Sequence, residues 1–174
     1  MPAVPFHHPK RPAGEFRPLK ALHHFRKLIA DKEDTEQVFH IIAALRGSKF
    51  RKIASTFWHS EKGQRILASN QRLIDVLDDH DNIKKLPAGT VGRAYVDFME
   101  REGLSAAGLE AEYAKFTDAG VRYEDGIDRY GDRLRDTHDM LHVLTGYGRD
   151  ALGEQCVLAF TYAQNRNLGV GFIA

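Results

Sequence analysis

Leu22, Phe25 and Ile29 recur at spacings of three and four, with Lys20, His23, His24, Arg26 and Lys27 between them. That rhythm predicts a helix beginning at Leu19. Its basic face fits two settings, an anionic membrane surface or a first core helix with a solvated side. The same period returns over residues 35–46 with Val38, Phe39, Ile41, Ile42 and Leu45, stopping at Gly47, and over 63–78 with Ile66, Leu67, Leu73, Ile74 and Leu77. After the breaker Leu86-Pro87 it marks 89–101 with Val91, Tyr95, Phe98 and Met99. Residues 105–117 and 119–131 carry a weaker signal, diluted by Gly108 and Gly126. Residues 132–145 and 151–165 complete the set. No stretch alternates as a strand would, and no segment repeats. The pattern therefore predicts an all-α, single-domain helical bundle over 19–174, preceded by an irregular, basic, Pro-rich arm over 1–18.

Composition narrows the picture. A chain of 174 residues with 43 % hydrophobic and 28 % charged residues can close one core. The formal net charge of +1 gives no bulk attraction for nucleic acid. Cys156 is the one cysteine, so an internal disulfide is excluded, and it reads as a small core residue. No apolar run approaches the ~18 residues of a membrane span. Charge is unevenly placed. Residues 1–30 hold six Lys or Arg, one acid, four His and five Pro, while the remainder holds nineteen basic and twenty-three acidic residues. The first serine is Ser48 and there is no apolar leader core, which argues against a transit or secretory peptide. The expected setting is a bacterial cytoplasm.

The candidate chemistry lies in Arg135–Glu154, RDTHDMLHVLTGYGRDALGE. On a continuous helix over 132–145, with His138 at zero, Asp139 falls at about 100° and His142 at about 40°. The three share an arc on a helix that is otherwise apolar nearly all round, which marks a buried helix. Gly146-Tyr147-Gly148 stops it, and Asp150 caps the next. If the two helices form an antiparallel hairpin, Glu154 comes opposite His142. Four buried ionisable groups are costly unless something pairs with them. Two imidazoles and two carboxylates suit zinc or another divalent transition metal. The spacing differs from H-E-x-x-H, because Asp139 stands where a metalloprotease keeps its general base. Arg135, at about 60° on the same arc, could meet an anionic head group or pair with Asp139 at i,i+4. A second His-Asp pair lies in Asp78-Asp79-His80-Asp81, as an all-α metal-dependent phosphohydrolase would need, but its neighbours Asn82, Lys84 and Lys85 read as a solvated loop.

H-D-x-x-H followed by eleven residues and Glu, here His138, Asp139, His142 and Glu154, resembles the signature of the Coq4 family of ubiquinone biosynthesis. Leu86-Pro87-Ala88-Gly89-Thr90-Val91-Gly92-Arg93-Ala94-Tyr95-Val96-Asp97-Phe98 resembles that family's L-P-x-G-x-x-G-R-x-Y-x-x-F stretch, and Arg133 and Arg135 stand where it places arginines. The resemblance runs from about Leu19 to the end.

It implies an all-α peripheral membrane protein with a divalent metal, usually zinc. It implies an apolar cavity for a polyprenyl-tailed benzoquinone precursor, other quinone-biosynthesis proteins as partners, and the inner membrane as the surface on which it rests. The activity implied is a lyase type, removal of the ring carboxylate at C1 with hydroxylation there. A non-catalytic lipid-binding scaffold with a structural metal is the alternative. The His-Asp phosphohydrolase is a lesser one. No flavin or dinucleotide fingerprint is present. Members continue past the Gly169–Gly171 region with further helices. Here the expectation is a short form, or a piece whose missing cavity wall a homodimer would cover.

Overall fold

Side chains that compete with the backbone for hydrogen bonds set where several helices begin. Ser60, Thr90, Asp125, Asp150 and Asn167 each accept from backbone N–H groups two or three residues ahead, closing donors that a helix start leaves open. The computed structural model describes residues 4–14, 16–32, 34–114 and 122–174. Among them are twelve helices and no strand: α1 (Pro18–Ala30), α2 (Thr35–Ala44), α3 (Gly47–Trp58), α4 (Glu61–Ser69), α5 (Leu73–Leu77), α6 (His80–Ile83), α7 (Val91–Glu102), α8 (Ala106–Ala114), α9 (Gly126–Asp136), α10 (His138–Thr145), α11 (Ala151–Asn165) and α12 (Leu168–Ile173). The all-α class is as the periodicity predicts. None of the helices is long and apolar enough to cross a membrane.

The elements differ from the periodicity in instructive places. Gly47 does not end a helix but starts α3, with φ +52. The run 63–78 breaks at Asn70, whose left-handed φ of 50 closes α4 before α5 begins. Asp78–Asp81 is not a free loop. The Asp78 carboxylate accepts from the backbone N–H of Ala106 and Ala107 at the start of α8, and His80 opens α6. The expected helix over 119–131 begins at Gly126, and its residues 119–121, like 115–117 of the preceding one, lie outside the described residues. Most consequential is Thr137. Its hydroxyl donates to the Leu134 carbonyl at 3.0 Å, and the run 132–145 divides there into α9 and α10; back-bonding hydroxyls weaken and bend helices.

Three groups of buried side chains hold the helices together. Ala21, Ile41, Ala44, Leu45 and Ile173 join α1, α2 and α12. Phe50, Ala54, Trp58, Ile127 and Tyr130 join α3 to α9, with Phe6 of the arm against them. Ile74, Leu77, Tyr95, Val96, Phe98 and Met99 join α5 and α7, and Met140 and Val143 of α10 pack on this group. The arm over 4–14 has no helix but is anchored. The Gly126 N–H donates to the Pro5 carbonyl at 2.9 Å. The Arg11 guanidinium reaches the Asp125 carboxylate at 2.7 Å and Asp128 at 2.6 Å. Between α1 and α2, the His24 and His40 rings stack 4.0 Å apart. The third group seats α10 on α7, and α11 lies beyond α10, which places the two halves of the candidate site.

Candidate metal centre

His138 and His142 stand one turn apart on α10, so their rings point to one side. Gly146, at φ +75, ends the helix and turns the chain back. The turn 146–149 then lies against the first turn of α11 so tightly that a Cβ on Gly153 would sit 2.0 Å from the Gly148 carbonyl oxygen. Asp150 caps α11 through the N–H groups of Leu152 and Gly153. The result is the hairpin that brings Glu154 opposite the two imidazoles.

Each imidazole meets its own oxygen of the Glu154 carboxylate. Glu154 Oε2 is 3.2 Å from His138 Nε2, Glu154 Oε1 is 3.4 Å from His142 Nε2, and the two Nε2 atoms are 3.4 Å apart. Bonds of 2.0–2.1 Å to a tetrahedral zinc put neighbouring ligand atoms about 3.3 Å apart. The three separations are each close to that spacing. His138, Asp139 and His142 also offer ligand atoms within 4.8 Å of one another, so Asp139 stands within reach of the two imidazoles as a further donor. His142 is 1 % exposed and Asp139 9 %, while the His138 and Glu154 side chains are 28 % and 34 % exposed. The cluster is therefore deeply set at His142 and Asp139 and reachable at His138 and Glu154.

The surroundings fix its electrostatics. His142 Nδ1 lies 3.1 Å from the Tyr147 carbonyl. A carbonyl only accepts, so Nδ1 donates to it and Nε2 is the nitrogen turned to Glu154, donating to the carboxylate when the ring is protonated and offering its lone pair to a cation in place of that proton. Burial would lower the basicity of His142, but hydrogen bonding to Glu154 and to the Tyr147 carbonyl outweighs it and raises it. Burial would raise the Glu154 carboxyl, yet the two histidines hold it at about 2. Burial raises the Asp139 carboxyl above the ordinary range, tempered by His138, His142 and Arg149. Phe98 stacks on His142 at 5.8 Å and 14° between planes, and Arg101 lies over Phe98 at 5.3 Å.

Arg135 is not brought to the cluster. Its guanidinium donates to Asp136 and Asp132, lies 3.8 Å from Glu110 and covers the Tyr113 ring. The division at Thr137 is the reason, because it puts Arg135 on α9 and the angular register of a continuous helix no longer applies. Residues that the sequence reading did not single out complete the site. Phe98 lies in the Leu-Pro-Gly stretch quoted above and was readable only as core. The Tyr147 carbonyl carries no side-chain signal. The second His-Asp pair offers little, since Asp78 is engaged in capping α8.

The sequence profile of the family described as coenzyme Q (ubiquinone) biosynthesis protein Coq4 matches residues 27–172. The chain belongs to the Coq4 family. It is similar to the mitochondrial ubiquinone biosynthesis protein coq-4 of Neurospora crassa, 33 % identical over 112 residues, covering 63 % of this chain and 30 % of that protein. It is likewise similar to the mitochondrial ubiquinone biosynthesis protein COQ4 of Yarrowia lipolytica, 32 % identical over 103 residues, 58 % of this chain and 36 % of that one. The mitochondrial COQ4 homolog of Anopheles gambiae is 34 % identical over 107 residues, 61 % and 35 % of the two chains. This Coq4-family chain thus spans about a third of the length of these relatives. Their names correct one expectation. A bacterial cytoplasmic setting is overturned, because these relatives are named as mitochondrial proteins of eukaryotes. The lack of an early serine, on which that expectation stood, describes a leader's composition and not a compartment.

Proposed function

We propose that this chain acts in ubiquinone biosynthesis by holding the head group of a polyprenyl-tailed benzoquinone precursor beside a divalent cation, zinc by its donor set. The observation that carries this is the convergence of His138 Nε2 and His142 Nε2, 3.4 Å apart, on the two oxygens of the Glu154 carboxylate at 3.2 and 3.4 Å. His138, His142 and Glu154 would hold the cation, with Asp139 as the fourth donor. When bound, it supplies Lewis-acid stabilisation of negative charge on a carboxylate or phenolate. The tautomer fixed by the Tyr147 carbonyl keeps the His142 lone pair directed at the cluster. The Phe98 ring shields that imidazole from water on its α7 side. In a lyase-type reaction the bond from the ring to its carboxylate breaks and CO2 leaves. The electron pair stays on the ring carbon, and a proton takes the vacated place. Hydroxylation at that carbon would require an oxidant as co-reactant.

A non-catalytic scaffold is the second reading. Four donors around one tetrahedral cation would close its coordination, as in structural sites. The accessible sides of His138 and Glu154 favour the first. Replacing His142 or Glu154 by Ala separates the two. With a catalytic site, the variants lose bound metal and turnover by about a hundredfold or more while the thermal midpoint stays within a few degrees. With a structural metal, the variants and the chelated wild type melt far below the untreated protein. Elemental analysis and thermal unfolding on the same samples give the answer.

The proposed partners are other quinone-biosynthesis proteins, a second copy of the chain, and a membrane surface met by α1, where Leu19 and Ile29 are exposed among Lys20, Arg26 and Lys27.

A further inference from the structure

Ala21, Ile41, Ala44 and Leu45 close the seam between α1 and α2, with Phe25 and Leu28 beside them. Two imidazoles stand in the same seam. His24 of α1 and His40 of α2 are each 8 % exposed, and their rings stack at 4.0 Å with 13° between planes. His24 Nδ1 is 2.7 Å from Gln37 Oε1, while the Gln37 amide nitrogen donates to Asp34 at 2.9 Å. An amide oxygen only accepts, so His24 Nδ1 donates and a second proton enters that ring at Nε2. Lys20 and Lys27 lie one turn before and one turn after His24 on α1, and His23 meets its ring edge-on at 5.2 Å. On α2, Glu36 is 3.3 Å from His40 Nε2, with its side chain 45 % exposed. Asp31 and Lys32 are exposed in the connection between the helices. Of the helices packed on this seam, α12 meets it through Ile173 and Phe172 and carries no charge. The helix α8 meets Phe39 through Tyr113 and carries Glu112 and Glu110, the latter paired with Arg72. The Glu154 carboxylate of α11 is engaged at the cluster.

We propose that the stacked His24–His40 pair is an acid-sensitive latch, which holds α1 closed on α2 while the rings are neutral and releases it when they take up protons. Two imidazolium rings at 4.0 Å would be like charges in contact, in a seam from which water is excluded. The partner of His24 is an amide, which carries no charge to offset one on the ring. Lys20 and Lys27 add charge of the same sign, and the attraction of Glu36 is screened by the water around it. Burial pushes the His24 ring below its ordinary range, the hydrogen bond to Gln37 resists, and the charges of His40, Lys20 and Lys27 act in the same direction as burial. Out of the seam, the ring meets water and titrates near its ordinary value of about 6.5. Opening therefore takes up a proton between that value and the lowered one. The closed state keeps its full advantage above about pH 6.5 and loses it as pH falls from there toward the lowered value. The arm ahead of α1 is pinned at Asp125 by Arg11, so release loosens the helix between two fixed points. It bares Ala21, Phe25 and Leu28 on α1 and Ile41, Ala44 and Leu45 on α2, an apolar surface present only in acid. The latch goes beyond the proposed function and does not rest on it, since neither histidine belongs to the cluster on α10 and α11.

The test follows amide hydrogen exchange of the full chain from about pH 7.5 to about pH 5, corrected for the intrinsic pH dependence of exchange, with NMR titration of the imidazole rings alongside. Protection of the amides from Ala21 to Leu28 should fall about tenfold per pH unit below about 6.5 for each proton taken up on opening. Those from Tyr95 to Met99 in α7 should keep theirs, and the His24 ring should titrate below about 6.5. In H24F/H40F, which keeps two flat rings without their charge, α1 should stay protected across the range. Equal loss in α1 and α7 would mean acid unfolding of the whole chain and would overturn the latch. So would protection of α1 that ignores pH, or a pH dependence that survives in the double variant. His40→Gln keeps a hydrogen-bond donor for Glu36 and removes one ring charge, so it serves even where the double variant fails to fold. There the His24 titration should move up toward the ordinary value, and an unmoved titration refutes the coupling between the rings.

Discussion

Tyr95 carries a phenol that is 1 % exposed, and among the described residues its hydroxyl has no hydrogen-bond partner. Burial, with the charges of Asp139, Asp78 and Asp136, pushes that hydroxyl well above its ordinary range. It therefore stays neutral, and its desolvation is not repaid by a partner. Tyr95→Phe should leave stability unchanged or raise it by up to about 1 kcal/mol, read as a thermal midpoint that does not fall. A clear fall would show that a buried water completes the site. The site residues show how legible single positions were. His138, His142 and Glu154 could be read from spacing, because i,i+4 on one helix and a Gly-x-Gly stop before an Asp cap are local facts. Arg135 could not be placed that way. Its direction depends on whether the helix continues through Thr137, and a threonine is compatible with either outcome. Phe98 reads as core in any sequence, and its stacking on His142 is a matter of which helix lies opposite.

At the scale of elements, the hairpin of α10 and α11 depends on Gly153. The Gly148 carbonyl oxygen occupies the place of a Cβ, at 2.0 Å, and backbone cannot rotate away as a side chain can. Gly153→Ala should destabilise the chain by about 3 kcal/mol and move Glu154, next in sequence, away from the imidazoles. Thermal unfolding and the amount of bound metal should fall together in that variant. A variant that melts like wild type and holds as much metal would refute the packing argument. The boundaries of α7 and α11 were readable because Thr90 and Asp150 are strong N-cap residues beside clear apolar periods. The helices α3 and α12 were not anticipated. The first begins at a glycine, which usually signals an end, and the second is six residues long and half glycine or valine. Its Gly169 lies so close to Ile42 of α2 that a Cβ would sit 2.5 Å from the Ile42 Cα, a contact that no local pattern announces.

At the scale of the whole molecule, the first residues and the middle of the chain are joined by an ion pair. Asp125 is fully buried and accepts from the His8 N–H, the Arg11 guanidinium and the N–H groups of Ile127 and Asp128. Burial alone would raise its carboxyl, but the hydrogen bonds from Arg11 and the backbone lower it below the ordinary value of 3.8. A lowered carboxyl stabilises the fold above its unfolded value, and that stability is lost as pH falls through the folded value. Arg11→Ala should cost about 3 kcal/mol near neutral pH, because it leaves a buried carboxylate without its cation. Its deficit relative to wild type should shrink as pH falls through the lowered folded value, where the carboxyl takes up a proton in both. Unfolding midpoints across pH would show a constant gap instead if Arg11 contributed only packing.

The sequence by itself determined the helical class and the resemblance that the profile match over 27–172 bears out, and its spacing marked His138, His142 and Glu154 as residues a hairpin could bring together. These follow from period, caps and spacing, which act over a few residues. The tertiary structure decided the rest. It set which face of α10 meets α7, where Arg135 goes, that the basic arm is anchored at Asp125, and that a cleft lined in part by Arg101 opens beside His142. Each of these depends on residues far apart in the chain, and the free energy of bringing such residues together is a property of the packed whole rather than of any segment.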